Sequence, residues 1–394
     1  MSAAAVRSRA EAVLAAVTEG RSEHFALDLS RIGPTAVLVA EVTREAYPDL
    51  IVPLHSRWRH FEVGGRDRWG ALARRLPDAM ARARAAVDLA LVSVLLDAGA
   101  GPDWRYREAG SETLLGRSEG LAVASLDAFA AGRFSGRPAL MPLQVDAPGL
   151  AEIDAGRLAA GMQAGRDNPL VGLEGRALLL RRLGEQLRAR PDLFGADARP
   201  GGLVDHLAAR AREDSLPAGA ILAAVLDGLG PIWPGRIERA GMALGDVWPC
   251  PILGGTPPAA DLCPFHKLSQ WLSYSLIEPL QAAGIAVVDL DGGLTGLAEY
   301  RNGGLFVDMG VIRPRDADAA TRLHQAGDPF VVEWRALTVA LLDRLAAEVR
   351  QLLDCPLTLG SILQGGTWSA GRMLAGRLRG GAPPFRIESD GTLF

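Results

Sequence analysis

Apolar positions recur at intervals of three and four through most of the chain. In residues 3–18, Val6, Ala10, Val13, Leu14 and Val17 form one helical stripe, and Gly20 follows as a stop. The same periodicity predicts helices over 171–189, 203–213, 217–228, 265–283, 330–353 and 358–378, and one or two more over 68–98, broken near Pro77. Pro279 is expected to kink or end the 265–283 helix, because proline lacks the N–H that the ladder needs. Extended stretches are few and short: Trp104–Glu108, Ile285–Leu290 and Phe385–Glu388. The pattern predicts a mainly α protein with a few short β-strands.

Pro/Gly clusters at 136–149, 190–202, 230–235 and 249–264 punctuate the middle third without building a long linker. Residues 1–394 therefore read as one large domain, with 135–250 either an inserted helical lobe or lid, or simply more helices. The longest apolar run, Val87 to Gly101, contains Asp88 and Asp97 and is too short to span a bilayer. Arg7, Arg9, Glu11 and Glu19 break up any signal-peptide core in the first twenty residues. A soluble cytoplasmic protein with no membrane partner is expected.

Composition narrows the chemistry. The 394 residues carry a formal net charge of −4, without the basic surplus that non-specific nucleic-acid binding requires, so no nucleic-acid partner is expected. Cys250, Cys263 and Cys355 have no paired spacing and read as reduced thiols. The histidines and cysteines show no HExxH or CxxC spacing, no Walker loop occurs, and no strand–GxGxxG–helix unit appears. Neither a metal nor a cofactor is expected. Of 42 basic residues 41 are arginine, which makes the one lysine, Lys267, worth following.

Several clusters carry candidate chemistry. His55-Ser-Arg57-Trp58-Arg59-His60-Phe61 gathers guanidinium, imidazole and indole groups that can bind an anion and stack a planar ring; the alternative is a helix start with solvated arginines and core aromatics. Asp289-Leu-Asp291-Gly-Gly, continuing through Glu299, Tyr300, Arg301, Asn302 and Asp308, sets acids among glycines, as at the mouth of a site or on a turn-rich surface. Its spacing does not fit a calcium loop. His266 and Lys267 open a helix, where the macrodipole disfavours cations unless an anion is present. Glu333 and Arg335, two apart, do not share a helix face, so one can point inward. Gly116-Arg-Ser118-Glu-Gly120 matches the GxSxG string of a nucleophile elbow, but the strand and parallel sheet that elbow needs are not evident.

With these residues in view, the chain resembles the family of the fourth protein of the bacterial and fungal uracil-catabolism pathway. The resemblance rests on Val52-Pro-Leu-His-Ser-Arg-Trp-Arg-His-Phe61, Asp103-Trp-Arg-Tyr106, Trp233-Pro-Gly-Arg236 and Thr295-Gly-Leu-Ala-Glu-Tyr-Arg-Asn-Gly-Gly-Leu-Phe306. More distantly, Phe265-His-Lys-Leu-Ser-Gln270 and Thr295-Gly-Leu-Ala-Glu-Tyr-Arg301 resemble strings of the helical, DNA-glycosylase-like queuosine-nucleotide N-glycosylases. Glu333-Trp-Arg335, the stretch from Trp104 to Phe129, and the C-terminal region around Trp368 and Pro383-Pro-Phe-Arg386 resemble the same family. Lys267 falls on that family's lysine and Glu299 on its active-site aspartate. Departures are the longer acid at 299, Asn302-Gly-Gly in place of Leu/Val-Pro-Gln, and Ser275 and Ser369 where that family has acids.

The resemblance implies a helical glycosylase-like domain that hydrolyses the N-ribosidic bond of ribosylurea or its 5′-phosphate, giving urea and ribose (phosphate). In that reading Glu299 stabilises the oxocarbenium-like transition state, and Lys267 keeps it ionised or holds the ribose or phosphate. Tyr300 and Arg301 shape the loop, with Asn302, His266 and Asp308 alongside. Glu333 or Arg335 fixes the urea or ribose hydroxyls, and His55, Arg57, Trp58, Arg59 and His60 orient the substrate or its phosphate. The partner is thus a small nucleoside- or nucleotide-derived substrate. Two alternatives stand beside it: an amidohydrolase-type step on a ring-opened ureido intermediate, and a non-catalytic nucleotide-binding or scaffolding protein of the pathway.

Overall fold

The structure, a computed structural model, describes residues 2–233, 237–255 and 260–388. Helices dominate, and among the described residues the strands form two-stranded pairings only. The mainly α expectation holds. No described helix is long and apolar enough to cross a membrane.

The chain forms two compact units, each assembled from separated segments. One comprises 1–55, 236–270 and 289–388; the other comprises 56–235 and 271–288. The 135–250 segment is therefore not a unit by itself: most of it joins residues 56–134, and its last fifteen residues fall in the first unit. Of the Trp233-Pro-Gly-Arg236 string, the last three residues lie outside the described residues.

The first unit is organised on helix Pro329–Leu353, which starts with proline at its first turn and ends on left-handed Asp354. Its length is buried from Phe330 to Leu342 almost without interruption. Helices Ala3–Thr18 and Ile32–Ala46 pack along it. Helix Tyr300–Asp308 packs against both Pro329–Leu353 and Trp368–Arg379. Gly303 makes the first of these contacts possible: a Cβ there would lie 2.7 Å from the Trp334 ring, whose Nε1 donates to the Gly303 carbonyl at 3.2 Å. Strand Phe25–Leu27 pairs antiparallel with Ile312–Pro314, and Val247–Pro249 pairs antiparallel with Leu262–Pro264.

The second unit holds helices Ala79–Leu95, Arg117–Ala130, Leu173–Ala189 and Ala218–Leu229. Strand Ser215–Pro217 runs parallel to Ala286–Val288, and Tyr106–Arg107 pairs antiparallel with Leu114–Leu115. Tyr106–Arg107, Ala286–Val288 and, in the first unit, Arg386–Ile387 fall in the three predicted extended stretches, whereas their partners Leu114–Leu115 and Ser215–Pro217 do not.

Four local outcomes differ from the periodicity, each for a physical reason. Helix Ile32–Ala46 goes unread because Gly33 and Pro34 look like breakers, whereas proline in a first turn gives up an N–H that has no intrahelical partner anyway. The 203–213 helix is shorter, Gly202–Ala208, because left-handed Glu213 and Asp214 turn the chain into the next strand. The 358–378 stretch is Leu359–Ile362 and Trp368–Arg379 joined by a π-helical turn, Leu363–Thr367. Helix Lys267–Ala282 contains Pro279 rather than stopping at it. The carbonyl that Pro279 cannot bond, that of Ser275, instead accepts the indole N–H of Trp58 at 2.8 Å.

Candidate functional site

The Val247–Pro249/Leu262–Pro264 hairpin pairs Val247 with Pro264, which brings Asp246 beside Phe265 and His266. The backbone N–H groups of Phe265 and His266 both donate to the Asp246 carbonyl, at 2.9 and 3.4 Å. The Asp246 carboxylate is buried and fully engaged. It accepts two parallel bonds from Arg335, at 2.8 and 2.7 Å, one from the Trp248 indole at 2.8 Å, and one from the Lys267 backbone N–H at 3.0 Å. Burial pushes its pKa up, but the charge and hydrogen bonds of Arg335 outweigh that and hold it well below the usual carboxylate range. A permanent anion thus caps the helix that begins at Lys267. Arg335 lies over the Phe265 ring, 4.0 Å from its centroid.

Gln270, one turn into that helix, fixes the second half of the site. Its side chain donates to Thr295 Oγ1 at 2.8 Å and accepts from the Thr295 N–H at 3.2 Å. Four residues on, Glu299 is the N-cap of helix Tyr300–Asp308, accepting from the N–H groups of Arg301 at 2.9 Å and Asn302 at 2.6 Å. Burial raises the Glu299 carboxyl above its ordinary value, against the opposing pull of these two N–H groups and the charges of Lys267 and Arg301. Lys267 therefore acts electrostatically on Glu299. Tyr300 is pushed up to about 12, first by burial, with Arg335 opposing and Glu299 reinforcing the shift. Lys267, Glu299, Tyr300, Arg335 and Asp246 form one electrostatic cluster within the first unit.

Other sequence-predicted residues of this unit have structural partners. Glu333 points away from Arg335, as the two-residue spacing predicts: it is buried, accepts from Ser22 Oγ at 2.5 Å, and is raised by burial. Asp308 forms a two-point pair with Arg379 at 2.5 and 2.8 Å. Asn302 is fully buried, donating to the Leu297 carbonyl at 3.1 Å and accepting from Thr367 at 2.8 Å. Arg301 donates to the Gly381 carbonyl at 3.1 Å. His55 is buried, with Nδ1 2.9 Å from Gln364 and its ring 5.9 Å from that of Trp368.

The rest of the histidine–arginine motif belongs to the second unit. Arg57 is fully buried, donating to Ser93 at 2.7 Å and to the Ser118 carbonyl at 3.3 Å and pairing with Asp97 at 3.1 Å; burial lowers its pKa. Trp58 is the indole that serves Ser275, Arg59 pairs with Glu278 at 2.7 Å, and His60 stands edge-on to Trp271 at 5.6 Å. Ser118 donates to Asp97 at 2.9 Å. The strand before it, Leu114–Leu115, belongs to a two-stranded antiparallel pairing, so GxSxG here begins a helix without the parallel sheet of a nucleophile elbow.

Sequence reasoning missed Asp246 and the tie between Gln270 and Thr295. Asp246 precedes a Pro/Gly-rich stretch that reads as loop, and only the pairing of 247–249 with 262–264 shows that it faces the lysine helix. The available signal was the alternating Val247-Trp248-Pro249 directly after an acid.

All 394 residues match a family model described as "Protein of unknown function (DUF1688)". The chain is similar to "Protein urg3" of Schizosaccharomyces pombe, 39% identical over 402 residues that cover 99% of this chain and 96% of that protein. It is also similar to "Uracil catabolism protein 4" of Lachancea kluyveri, 35% identical over 411 residues that cover 95% and 93%.

Proposed function

The chain belongs to the DUF1688 family, the family of uracil catabolism protein 4, and from that premise we propose that it is an N-glycosidase of uracil catabolism. Its substrate in this reading is ribosylurea or the 5′-phosphate, and its products are urea and ribose or ribose 5-phosphate. The observation that carries the proposal is the half-buried Glu299 carboxylate, held at a helix N-terminus within the electrostatic reach of the chain's one lysine.

Such a reaction needs a carboxylate beside C1′, where positive charge develops as the C1′–N bond breaks. Glu299 is fixed by two backbone N–H groups, so its position costs no reorganisation as the bond breaks. Water adds to C1′, its proton leaves, and the departing urea nitrogen takes up a proton. Lys267 favours the ionised form of Glu299 and offers a compact cation for a ribose hydroxyl or phosphate. Arg335, pinned by Asp246 and stacked on Phe265, is held rigid within this cluster. The resemblance of the Lys267 and Glu299 strings to queuosine-nucleotide N-glycosylases supports the same bond cleavage.

The test is to incubate the purified chain with ribosylurea and with its 5′-phosphate and follow urea release. Release by the wild type and loss in Glu299→Gln supports the reading. Folded protein that turns over neither compound overturns it, as does activity abolished by chelators, which marks a metal-dependent amidohydrolase-type step.

A further inference from the structure

His266 combines two features whose coincidence calls for an explanation. It is buried, and its Nε2 is shielded from solvent with no hydrogen-bond partner. Its backbone is left-handed, with φ 51°, a conformation that L residues adopt only at a cost. A buried polar atom without a partner is destabilising, and so is a side chain carried on left-handed backbone. Glycine in this position would incur neither cost.

Both costs fall on the residue immediately before Lys267, beside the anion Asp246 that caps the same helix. The fold uses the left-handed residue to bring two successive N–H groups onto the Asp246 carbonyl and a third onto its carboxylate. That accounts for the backbone, but any residue able to take this φ would serve. It does not account for an imidazole with an unmet nitrogen.

We propose that His266 is a specificity-determining residue whose Nε2 pairs with an uncharged hydrogen-bonding group of the ligand bound at Lys267, a hydroxyl or an amide-type N–H or carbonyl. The uncharged class follows from the surroundings. The ring is buried, and that burial pushes the imidazole down to about 4, so it is neutral at physiological pH. A phosphate or carboxylate would be served by Lys267, whereas a neutral imidazole offers one donor and one acceptor, the complement of a ureido or ribose group. This rests on the glycosidase reading only for naming the ureido and ribose groups; the contact itself stands on the unmet Nε2 and the burial of its ring.

The experiment uses the full chain with His266→Leu, His266→Gln and His266→Gly. Expected results are a KM for ribosylurea raised at least tenfold in His266→Leu, partial recovery in His266→Gln, a smaller change in kcat, and a Tm for His266→Gly equal to or above wild type. A structural role would lower the Tm and leave KM unmoved, and that result overturns the proposal. Should the wild type release no urea, the glycosidase reading fails separately. Thermal shift with ribosylurea and with ribose 5-phosphate then decides: stabilisation of wild type lost in His266→Leu supports the contact. An equal shift in both proteins, or none in wild type, overturns it.

Discussion

Gln270 and Thr295 exchange two hydrogen bonds, amide to hydroxyl and N–H to amide oxygen, and so join the helix that begins at Lys267 to the turn that ends at Glu299. Both partners are buried, and Thr295 Oγ1 also donates to the Gly296 carbonyl at 3.0 Å. Gln270→Leu removes both of these buried hydrogen bonds and should cost about 1–3 kcal/mol. Because Thr295 sits four residues before Glu299, kcat should fall beyond what the lost stability explains. Chemical denaturation compared with urea release at a temperature where both proteins are fully folded checks this; unchanged kcat would separate the tie from the site.

Lys267→Arg keeps the charge and follows the chain's own habit of using arginine. The guanidinium is larger and planar, and cannot replace a compact ammonium near a capped carboxylate. We expect activity to drop at least tenfold while the Tm moves by no more than a few degrees. Normal activity in this variant would make the lysine an accident of composition.

The raised carboxyl of Glu299 sets the acid limb of the pH–rate profile. A reaction needing the carboxylate loses rate as pH falls through that pKa, so the limb should lie above the usual glutamate value. Since the charge of Lys267 opposes the rise, Lys267→Met should move the limb to still higher pH. The stability effect has the opposite sense. A folded-state pKa above the unfolded one gives stability that is fullest at low pH and is lost as pH rises through the folded value. Glu299→Gln, which keeps an acceptor for the cap, should thus be at least as stable as wild type at pH 7 while inactive.

Asp246→Asn should be the most damaging isosteric change in the first unit. It leaves Arg335 buried against Phe265 without its counter-charge, a loss on the order of 3–5 kcal/mol. Asp246 is depressed in the fold, so the stability it supplies is fully present above the ordinary aspartate pKa and disappears only as pH falls well below that. The variant's deficit should accordingly be undiminished from pH 5 to 8 in denaturant titrations, and a deficit that vanishes at pH 5 would contradict the pairing.

Gly303→Ala places a methyl against the Trp334 ring in a contact with no room to spare. Overpacking of this kind costs about 1–3 kcal/mol, and the shift of the Tyr300–Asp308 helix should carry Glu299 with it. Differential scanning calorimetry and kcat should fall together.

What the sequence made legible follows from how each feature is encoded. The Pro329–Leu353 and Lys267–Ala282 helices are long and periodic, so local pattern sufficed. Lys267 and Glu299 stood out through composition and family resemblance, and the structure places them within electrostatic reach. Arg57 and Asp308 illustrate the opposite case. Each is a charged residue in a suggestive motif, yet their partners Asp97 and Arg379 lie far along the chain, and nothing local discloses that pairing. Asp246 escaped for the same reason: its role is created by strand pairing and by Arg335, 89 residues away.

The discontinuous make-up of the two units bears on how a ribosome delivers this protein. Helix Ala3–Thr18 is made roughly three hundred residues before Pro329–Leu353, the helix on which it packs. Trp58 likewise leaves the tunnel some two hundred residues before the Ser275 carbonyl that its indole serves. Neither unit can close its core until its later segments have been made, so the nascent chain carries exposed apolar helices while it waits for them. At 5–20 residues per second the wait between helices Ala3–Thr18 and Pro329–Leu353 is roughly 15–60 s, in which holdase chaperones would have their main opportunity to act.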